Sequence, residues 1–218
     1  MKNLLFSLVL AASVASQAAP LLSFEAGNQT NNGIVLNKTA TINDASGNPT
    51  ALKMDLLGAG LRSKTVLVVE AKVYVMQLFS DNKAAFSRDS NALTSLVQNS
   101  SRVALRMDML RTLTASSLAT AMKEALVANN YQIDAELTNI LSLFEKSADA
   151  TQGKSINLLL VKDPKNNKLN VYYEDTKGVL QSVVSSPDVM TKLLSIWLGT
   201  PADDGLAKLK ASLLKPVY

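Results

Sequence analysis

The stretch GAGLRSKTVLVVEAKVYV, which runs from Gly58 to Val75, decides the fold. It places two glycines, Gly58 and Gly60, shortly before one arginine, Arg62, and continues as a long run rich in β-branched residues. Glycine permits positive φ and close backbone approach, whereas β-branched residues favour strands. The stretch therefore predicts a turn built on the two glycines, which leads into a strand and holds one guanidinium at the start of that strand.

Hydrophobic periodicity predicts both strands and helices along the rest of the chain. Residues 102–109 alternate between apolar and polar side chains, which is the pattern of a half-buried strand. Residues 114–129 switch to helical spacing behind Thr114, a typical N-cap residue, and Asp134 caps a second predicted helix. Strands joined by hairpin turns return at residues 155–161, 169–174 and 179–184.

The two ends of the predicted domain carry different signals. Residues 19–33 are polar and rich in glycine and asparagine, which predicts a loose lead-in. Ser186-Pro187 and Thr200-Pro201 each combine a capping residue with a following proline, and so predict two C-terminal helices. Asp203-Asp204 then falls in the first turn of the last helix, where the helix dipole favours acids. Together these elements predict an α+β domain with a mainly antiparallel sheet and a helical layer on one face.

Composition limits both the size and the chemistry of the protein. The chain has 218 residues, of which 47% are hydrophobic and 18% charged, and this suits one globular domain over residues 19–218. It contains no histidine and no cysteine, which excludes a Ser-His-Asp triad, a cysteine nucleophile and Cys/His zinc sites. We therefore assign no catalytic residue, no metal and no cofactor. The formal charge of +4 is mild and the lysines are scattered, so nucleic-acid binding is not expected.

The start of the chain has the pattern of a secretory signal peptide. A lysine follows the first methionine, Leu4–Val14 forms a short apolar core, and Ser16–Ala18 supplies small residues around a cleavage point. The apolar run is too short to span a membrane as a helix. We expect residues 1–18 to be removed by cleavage near Ala18 or Ala19. The mature chain is then expected to be a soluble periplasmic or secreted protein without a membrane span.

Two blocks of the sequence resemble the chalcone isomerase-like family, in particular its bacterial secreted branch. The first is the GAGLRSK run with KVYVMQLF at residues 72–79, and the second is IWLGTP at residues 196–201 followed by LAKLK at residues 206–210. The resemblance extends over residues 50–215 and includes the plant chalcone isomerases and their fatty-acid-binding relatives. It implies an open-faced β-sandwich, with a ligand cleft between the sheet and the helical layer.

The resemblance implies that Arg62 lies in this cleft and holds an anionic group. A guanidinium is always charged, and its planar fork suits a carboxylate. The residues themselves leave an alternative open, because a buried guanidinium needs a partner and Glu70 or Asp108 could supply an internal salt bridge. Tyr74 is a second candidate ligand contact, and its alternative is packing in the core with the hydroxyl at the rim.

The remaining hydrogen-bond donors of the isomerase site are not matched. The family's threonine, tyrosine and late serine or threonine fall near Val69, Leu118 and Met190, none of which carries a hydroxyl. Thr65 could substitute spatially for the first of them, so we include it as a candidate ligand residue. Each donor lost from such a site typically costs about a hundredfold in rate or more. We therefore do not expect this protein to cyclise chalcones at an enzymatic rate.

Three functions remain open. The favoured one is non-catalytic binding of a small amphiphilic anion, such as a fatty acid, with Arg62, Thr65 and Tyr74 at the ligand. The second is an intramolecular lyase that closes a ring or shifts a bond and uses Arg62 to stabilise a phenolate. The third is a structural or partner-binding envelope protein whose cleft is filled by its own side chains. An open cavity would favour binding or catalysis over the structural role. Hydrogen-bond donors beside Arg62 would favour the lyase over non-catalytic binding. The sequence leaves the oligomeric state open.

Overall fold

The computed structural model describes residues 19–66 and 68–218. The predicted signal peptide, residues 1–18, lies outside the described residues. The strands are β1 (Leu22–Asn31), β2 (Ile34–Asn43), β3 (Pro49–Val66), β4 (Val69–Ser80), β5 (Arg102–Met109), β6 (Ser155–Asp163), β7 (Lys168–Glu174) and β8 (Leu180–Ser185). The α-helices are α1 (Ala92–Asn99), α2 (Ala115–Ala128), α3 (Ala135–Glu145), α4 (Val189–Leu198) and α5 (Asp204–Leu213).

The eight strands form one antiparallel sheet in which spatial order follows chain order from β1 to β8. Residues of all five helices pack with one face of this sheet, to which the strands contribute Met107, Leu158 and Tyr173 among others. The predicted α+β fold, an antiparallel sheet with a helical layer on one face, is therefore confirmed. None of the helices in the described part of the chain has the length and apolar character needed to cross a membrane.

The opposite face of the sheet carries a smaller apolar cluster built around Met54, Phe79 and Leu159. The sheet curls so that the chain just before β1 reaches the end of β7, where the backbone N–H of Leu21 donates to Glu174 Oε1 at 2.8 Å. The curl covers the central strands on this side as well. As a result, residues 73–80 of β4 are all buried, on both faces of the sheet.

The prediction of a turn at Gly58 and Gly60 is wrong, because both glycines lie inside β3. Glycine is needed here for the packing of α5 on this strand. A Cβ at Gly58 would overlap the carbonyl oxygen of Leu213, and a Cβ at Gly60 would lie 2.7 Å from the Cβ of Ser212. The missing side chains therefore let α5 lie directly against the sheet.

Two other expectations about local structure are also wrong. Residues 22–31 form strand β1 rather than a loose lead-in. This strand lies at the edge of the sheet and most of its side chains are at least partly exposed, so a polar sequence is compatible with pairing. The last two helices begin later than predicted, since α4 takes Asp188 rather than Ser186 as its N-cap and α5 takes Asp203 rather than Thr200. The predicted caps Thr114 and Asp134 are confirmed, since each side chain accepts a backbone N–H of the first helical turn.

Candidate ligand-binding site

A cavity of about 160 Å³ lies at one end of the helix-facing core, where β3 and β4 meet α2, α4 and α5. Its apolar walls include Val73, Leu118, Met122, Ile196 and Trp197, and all five are buried. The cavity lies between the sheet and the helical layer, which is the place that the sequence resemblance implies for a ligand cleft. We call it the Arg62 cavity, after the buried arginine in its wall.

The β3–β4 pairing places Arg62 and Tyr74 side by side on the wall of the Arg62 cavity. The two residues are direct cross-strand partners, and such partners on one face of a sheet have adjacent side chains. The register shifts immediately after this pair, so Val73 is an extra residue in β4. Bulges of this kind redirect side chains. Here the consecutive residues Val73 and Tyr74 both line the cavity.

Arg62 forms a two-pronged ion pair with Asp203. Its Nη1 donates to Asp203 Oδ1 at 2.8 Å and its Nη2 donates to Asp203 Oδ2 at 2.6 Å. Nη1 also donates to the backbone carbonyl of Ser63. The Arg62 side chain is 9% exposed and that of Asp203 is 35% exposed. The sequence left open an internal salt bridge of Arg62, and the structure contains one. Asp203 largely compensates the charge that Arg62 brings to the cavity wall.

Asp203 is fixed from two sides. It is the N-cap of α5 and accepts the backbone N–H of Leu206 at 2.8 Å while it holds Arg62. Burial alone would raise the pKa of its carboxyl, but the hydrogen bonds from Arg62 and Leu206 and the charges of Arg62 and Lys64 outweigh this and lower the pKa. Asp203 is therefore a stable anion near neutral pH and a weak base.

The two acids considered as partners of Arg62 lie elsewhere. Glu70 accepts the hydroxyl of Ser63 at 2.7 Å and pairs with Lys208 at 3.1 Å. Asp108 projects from the opposite face of the sheet, where it accepts from Arg106 at 2.8 Å. The alternating pattern of β5 places Asp108 on the sheet face opposite to Met107 and Met109. A salt bridge between Asp108 and an arginine on the helix-facing side could therefore have been excluded from the sequence.

Arg62 retains donors that a ligand could use. A guanidinium has five N–H groups, and the contacts to Asp203 and Ser63 occupy three of them. The Nε–H and one Nη2–H have no hydrogen-bond partner among the described residues. An anion that reaches these two groups would therefore not have to displace Asp203.

Tyr74 supplies a neutral donor to the same cavity. Its hydroxyl accepts the Nε1–H of Trp197 at 3.0 Å, which leaves its own O–H hydrogen free to donate. Burial raises the pKa of the phenol, and the opposing effects of the Trp197 hydrogen bond and the Arg62 charge offset this only in part. Tyr74 therefore stays protonated at neutral pH. The residue combines both roles considered from the sequence, since it packs in the core and lines the cavity.

The structure does not place Thr65 at the Arg62 cavity. Its side chain is exposed and is not part of the cavity wall. The reason is that β5 pairs with β4 only from Tyr74 onward, so the β3–β4 hairpin extends beyond the sheet at this end. Val69 lies on the same extension and is 65% exposed. Of the positions matched to the family's hydroxyl donors, Leu118 alone lines the cavity.

Two further cations line the cavity, and the site predicted from the sequence did not include them. Lys64 and Arg111 stand in its wall together with Arg62, and no carboxylate does. Neither forms an ion pair within the described part of the chain. The cavity therefore has a positive potential that attracts anions. Lys64 follows Arg62 by two residues in a strand, and this spacing could have indicated it.

A larger open depression of about 1100 Å³ lies on the other face of the sheet. Its floor is apolar and includes Leu159, Val161 and Tyr172, while Asp44 is the charged residue at its rim. It contains no lysine or arginine among its described wall residues. We therefore regard the smaller Arg62 cavity as the candidate anion site, despite the difference in volume.

The architecture and the site together define a class of protein. A curled antiparallel sheet, one helical layer and a cavity with a buried arginine between them form an open-faced β-sandwich with an internal cleft. A family model described as chalcone isomerase-like matches residues 29–215. The chain thus belongs to the chalcone isomerase-like family, which confirms the resemblance seen in the sequence.

Comparison with solved structures finds a plant protein of similar fold. The fatty-acid binding protein AtFAP1 of Arabidopsis thaliana superimposes with a TM-score of 0.60 and is 20% identical in sequence. The match covers 87% of this chain and 96% of the plant protein. At this level of identity the match establishes a shared fold. A comparison with curated proteins finds no match.

Proposed function

We propose that this protein is a non-catalytic binder of a small amphiphilic anion, such as a fatty acid. The observation that carries the proposal is that Arg62 and Tyr74, which are cross-strand partners, both stand in the wall of a mainly apolar cavity. Apolar walls suit a hydrocarbon tail, and the two donors suit a carboxylate. The solved neighbour is named as a fatty-acid binding protein, which supports the same class of ligand for this chain.

The open volume of the cavity argues against a purely structural role. A cleft filled by its own side chains would leave no space, whereas the Arg62 cavity measures about 160 Å³. Lys64 and Arg111 add a second reason, because both are exposed cations in the cavity wall that form no ion pair with the described residues and that core packing does not require. We therefore place binding above a structural role.

The chemistry around Arg62 also favours binding over catalysis. Tyr74 offers one neutral donor, but Asp203, the acid in contact with Arg62, has a lowered pKa and is a poor proton acceptor. Hydroxychalcones incubated with the protein should therefore show no turnover above background in a spectrophotometric assay. Turnover that disappears on Arg62→Gln would instead favour the intramolecular lyase.

We also propose that the protein acts in the periplasm or outside the cell. The support is the sequence of residues 1–18, with its apolar run and small residues before Ala19. When the gene is expressed in a bacterium, N-terminal sequencing of the protein in the periplasmic fraction should begin near Ala19. A mature protein that retains Met1 would contradict this location.

The anion-binding role of Arg62 can be tested with a matched acid and alcohol. The double variant Arg62→Gln/Asp203→Asn removes both charges and so avoids leaving a carboxylate without its counter-ion. Because charge-assisted hydrogen bonds contribute about 1.5–3 kcal/mol, hexanoate affinity should fall by about tenfold or more. Hexanol should bind nearly as before, since its tail contacts are retained. Isothermal titration calorimetry measures both affinities.

Two single variants complete this test. Asp203→Asn leaves the Arg62 charge uncompensated, so it should strengthen hexanoate binding relative to hexanol. Lys208→Gln removes an exposed cation of α5 that pairs with Glu70 outside the cavity, and it should leave both affinities unchanged. Equal losses for acid and alcohol in the double variant would show that Arg62 does not hold the anion.

A further inference from the structure

We infer that the Arg62 cavity takes a compact monocarboxylic acid, with a short acyl chain or a single ring as its apolar part. Long-chain fatty acids are excluded. The inference rests on the proposed function and specifies the ligand class for that same site. Its main support is the cavity volume of about 160 Å³. An apolar cavity of about 150 Å³ accommodates one benzene ring, whereas pockets for larger ligands measure about 300–1,000 Å³.

The protein core next to the cavity leaves no room for a longer tail. Met109, the cross-strand partner of Tyr74, and Met76, which is two residues further along β4, are both essentially inaccessible to solvent. Leu209 of α5 packs against Gly60, the cross-strand partner of Met76, and is also fully buried. A long acyl chain would have to displace these side chains, and displacement from a close-packed core is costly.

The larger depression cannot extend the site. It lies on the other face of the sheet, and its floor consists of β6 and β7 residues such as Leu159 and Tyr172. The sheet itself therefore separates it from a carboxylate bound at Arg62. A tail that starts in the Arg62 cavity has to end there or turn back to solvent.

The walls of the cavity also suit a ring. Trp197 and Tyr74 are held relative to each other by the hydrogen bond between indole and hydroxyl. Aromatic side chains in fixed positions favour offset or edge-to-face contacts with a ligand ring. Lys64 and Arg111 stand in the same wall and add positive charge for an acidic group. A phenyl ring with a short carboxylate arm therefore matches both the volume and the charge.

The dependence of affinity on chain length tests the inference with the full mature chain. In an apolar site without a size limit, each added methylene raises affinity about fourfold. Calorimetric titration with butyrate, hexanoate, decanoate and laurate should show this rise up to hexanoate and then no further gain. Phenylacetate should bind about as tightly as hexanoate. A continued rise through laurate would overturn the size limit while leaving anion binding intact.

Cavity variants distinguish a size limit from other causes of a plateau. Met122→Ala enlarges the cavity and should move the plateau to longer acids, and Ile196→Val is a milder change of the same kind in case the first variant does not fold. Met190→Ala is the matched control, because Met190 is fully buried but lies outside the cavity wall, and it should leave the plateau in place. An unchanged plateau in Met122→Ala and Ile196→Val would contradict the inference. Failure of every acid to bind would instead reject the proposed function.

Discussion

Replacing Asp203 with alanine should lower the free energy of unfolding by about 4 kcal/mol. About 1 kcal/mol comes from the lost N-cap, because the carboxylate accepts the N–H of Leu206 at the start of α5. About 3 kcal/mol comes from Arg62, which stays buried and loses its counter-ion. This second contribution is at the low end of the usual range because Asp203 itself is partly exposed.

Urea unfolding at pH 7 measures the loss, and two variants separate its causes. Asp203→Asn retains an N-cap residue and removes the charge, so it should destabilise less than alanine does. Lys208→Ala is the matched control, since the Glu70–Lys208 pair joins the same hairpin to α5 but both side chains are more than half exposed. Exposed pairs contribute little to stability. Equal losses for Asp203→Ala and Lys208→Ala would show that burial of Arg62 does not matter.

The same ion pair predicts a loss of stability in acid. The pKa of Asp203 is lower in the folded protein than in the unfolded chain, where it is about 3.9. Ionised Asp203 therefore contributes fully to folding stability above the unfolded pKa, and this contribution is lost as the pH falls through the folded pKa. The difference in stability between the wild type and Asp203→Asn should therefore be constant near neutral pH. It should shrink once the pH falls below about 4, as urea unfolding across this range would show.

Local signals in the sequence predicted most of the secondary structure. The alternation of residues 102–109 predicted β5 with the correct bounds, and Thr114 and Asp134 marked helix starts because their side chains bond to the next turn. These signals depend on neighbours within a few residues. The errors arose where a distant segment decides the conformation. Gly58 and Gly60 are explained by α5, which follows them by about 150 positions, so no local pattern could distinguish them from turn glycines.

The candidate site was predictable only in part, because segments that are distant in the sequence form it. The family resemblance and the strand pattern directed attention to Arg62 and Tyr74, which are cross-strand partners in the structure. The partner of Arg62 is Asp203, which lies 141 residues away and had been explained by the helix dipole alone. Thr65 is predicted at the site as a spatial substitute for the family's threonine. The extension of the β3–β4 hairpin beyond β5, which keeps Thr65 away from the cavity, cannot be inferred from the residues of the hairpin. Cavity volume depends on how α2, α4 and α5 pack, and sequence patterns contain no such information.

Replacing Trp197 with alanine should also destabilise the protein by about 4 kcal/mol, as is usual for a buried aromatic residue. Trp197 is 3% exposed in α4 and donates its Nε1–H to Tyr74 at 3.0 Å. Its loss leaves an empty space that the surrounding core fills only in part. It also removes the partner of the Tyr74 hydroxyl, which is a buried polar group.

Phenylalanine variants separate the ring from the hydrogen bond. Trp197→Phe keeps most of the apolar area but removes the donor, and Tyr74→Phe removes the acceptor, so each should cost about 1–2 kcal/mol by leaving one buried polar group without a partner. Both substitutions break the same bond, and the double variant should therefore lose less than the sum of the two. Urea unfolding of the four proteins measures this coupling. Strictly additive losses would show that the indole–hydroxyl bond does not hold the wall of the Arg62 cavity, and that Trp197 stabilises the protein through its apolar area alone.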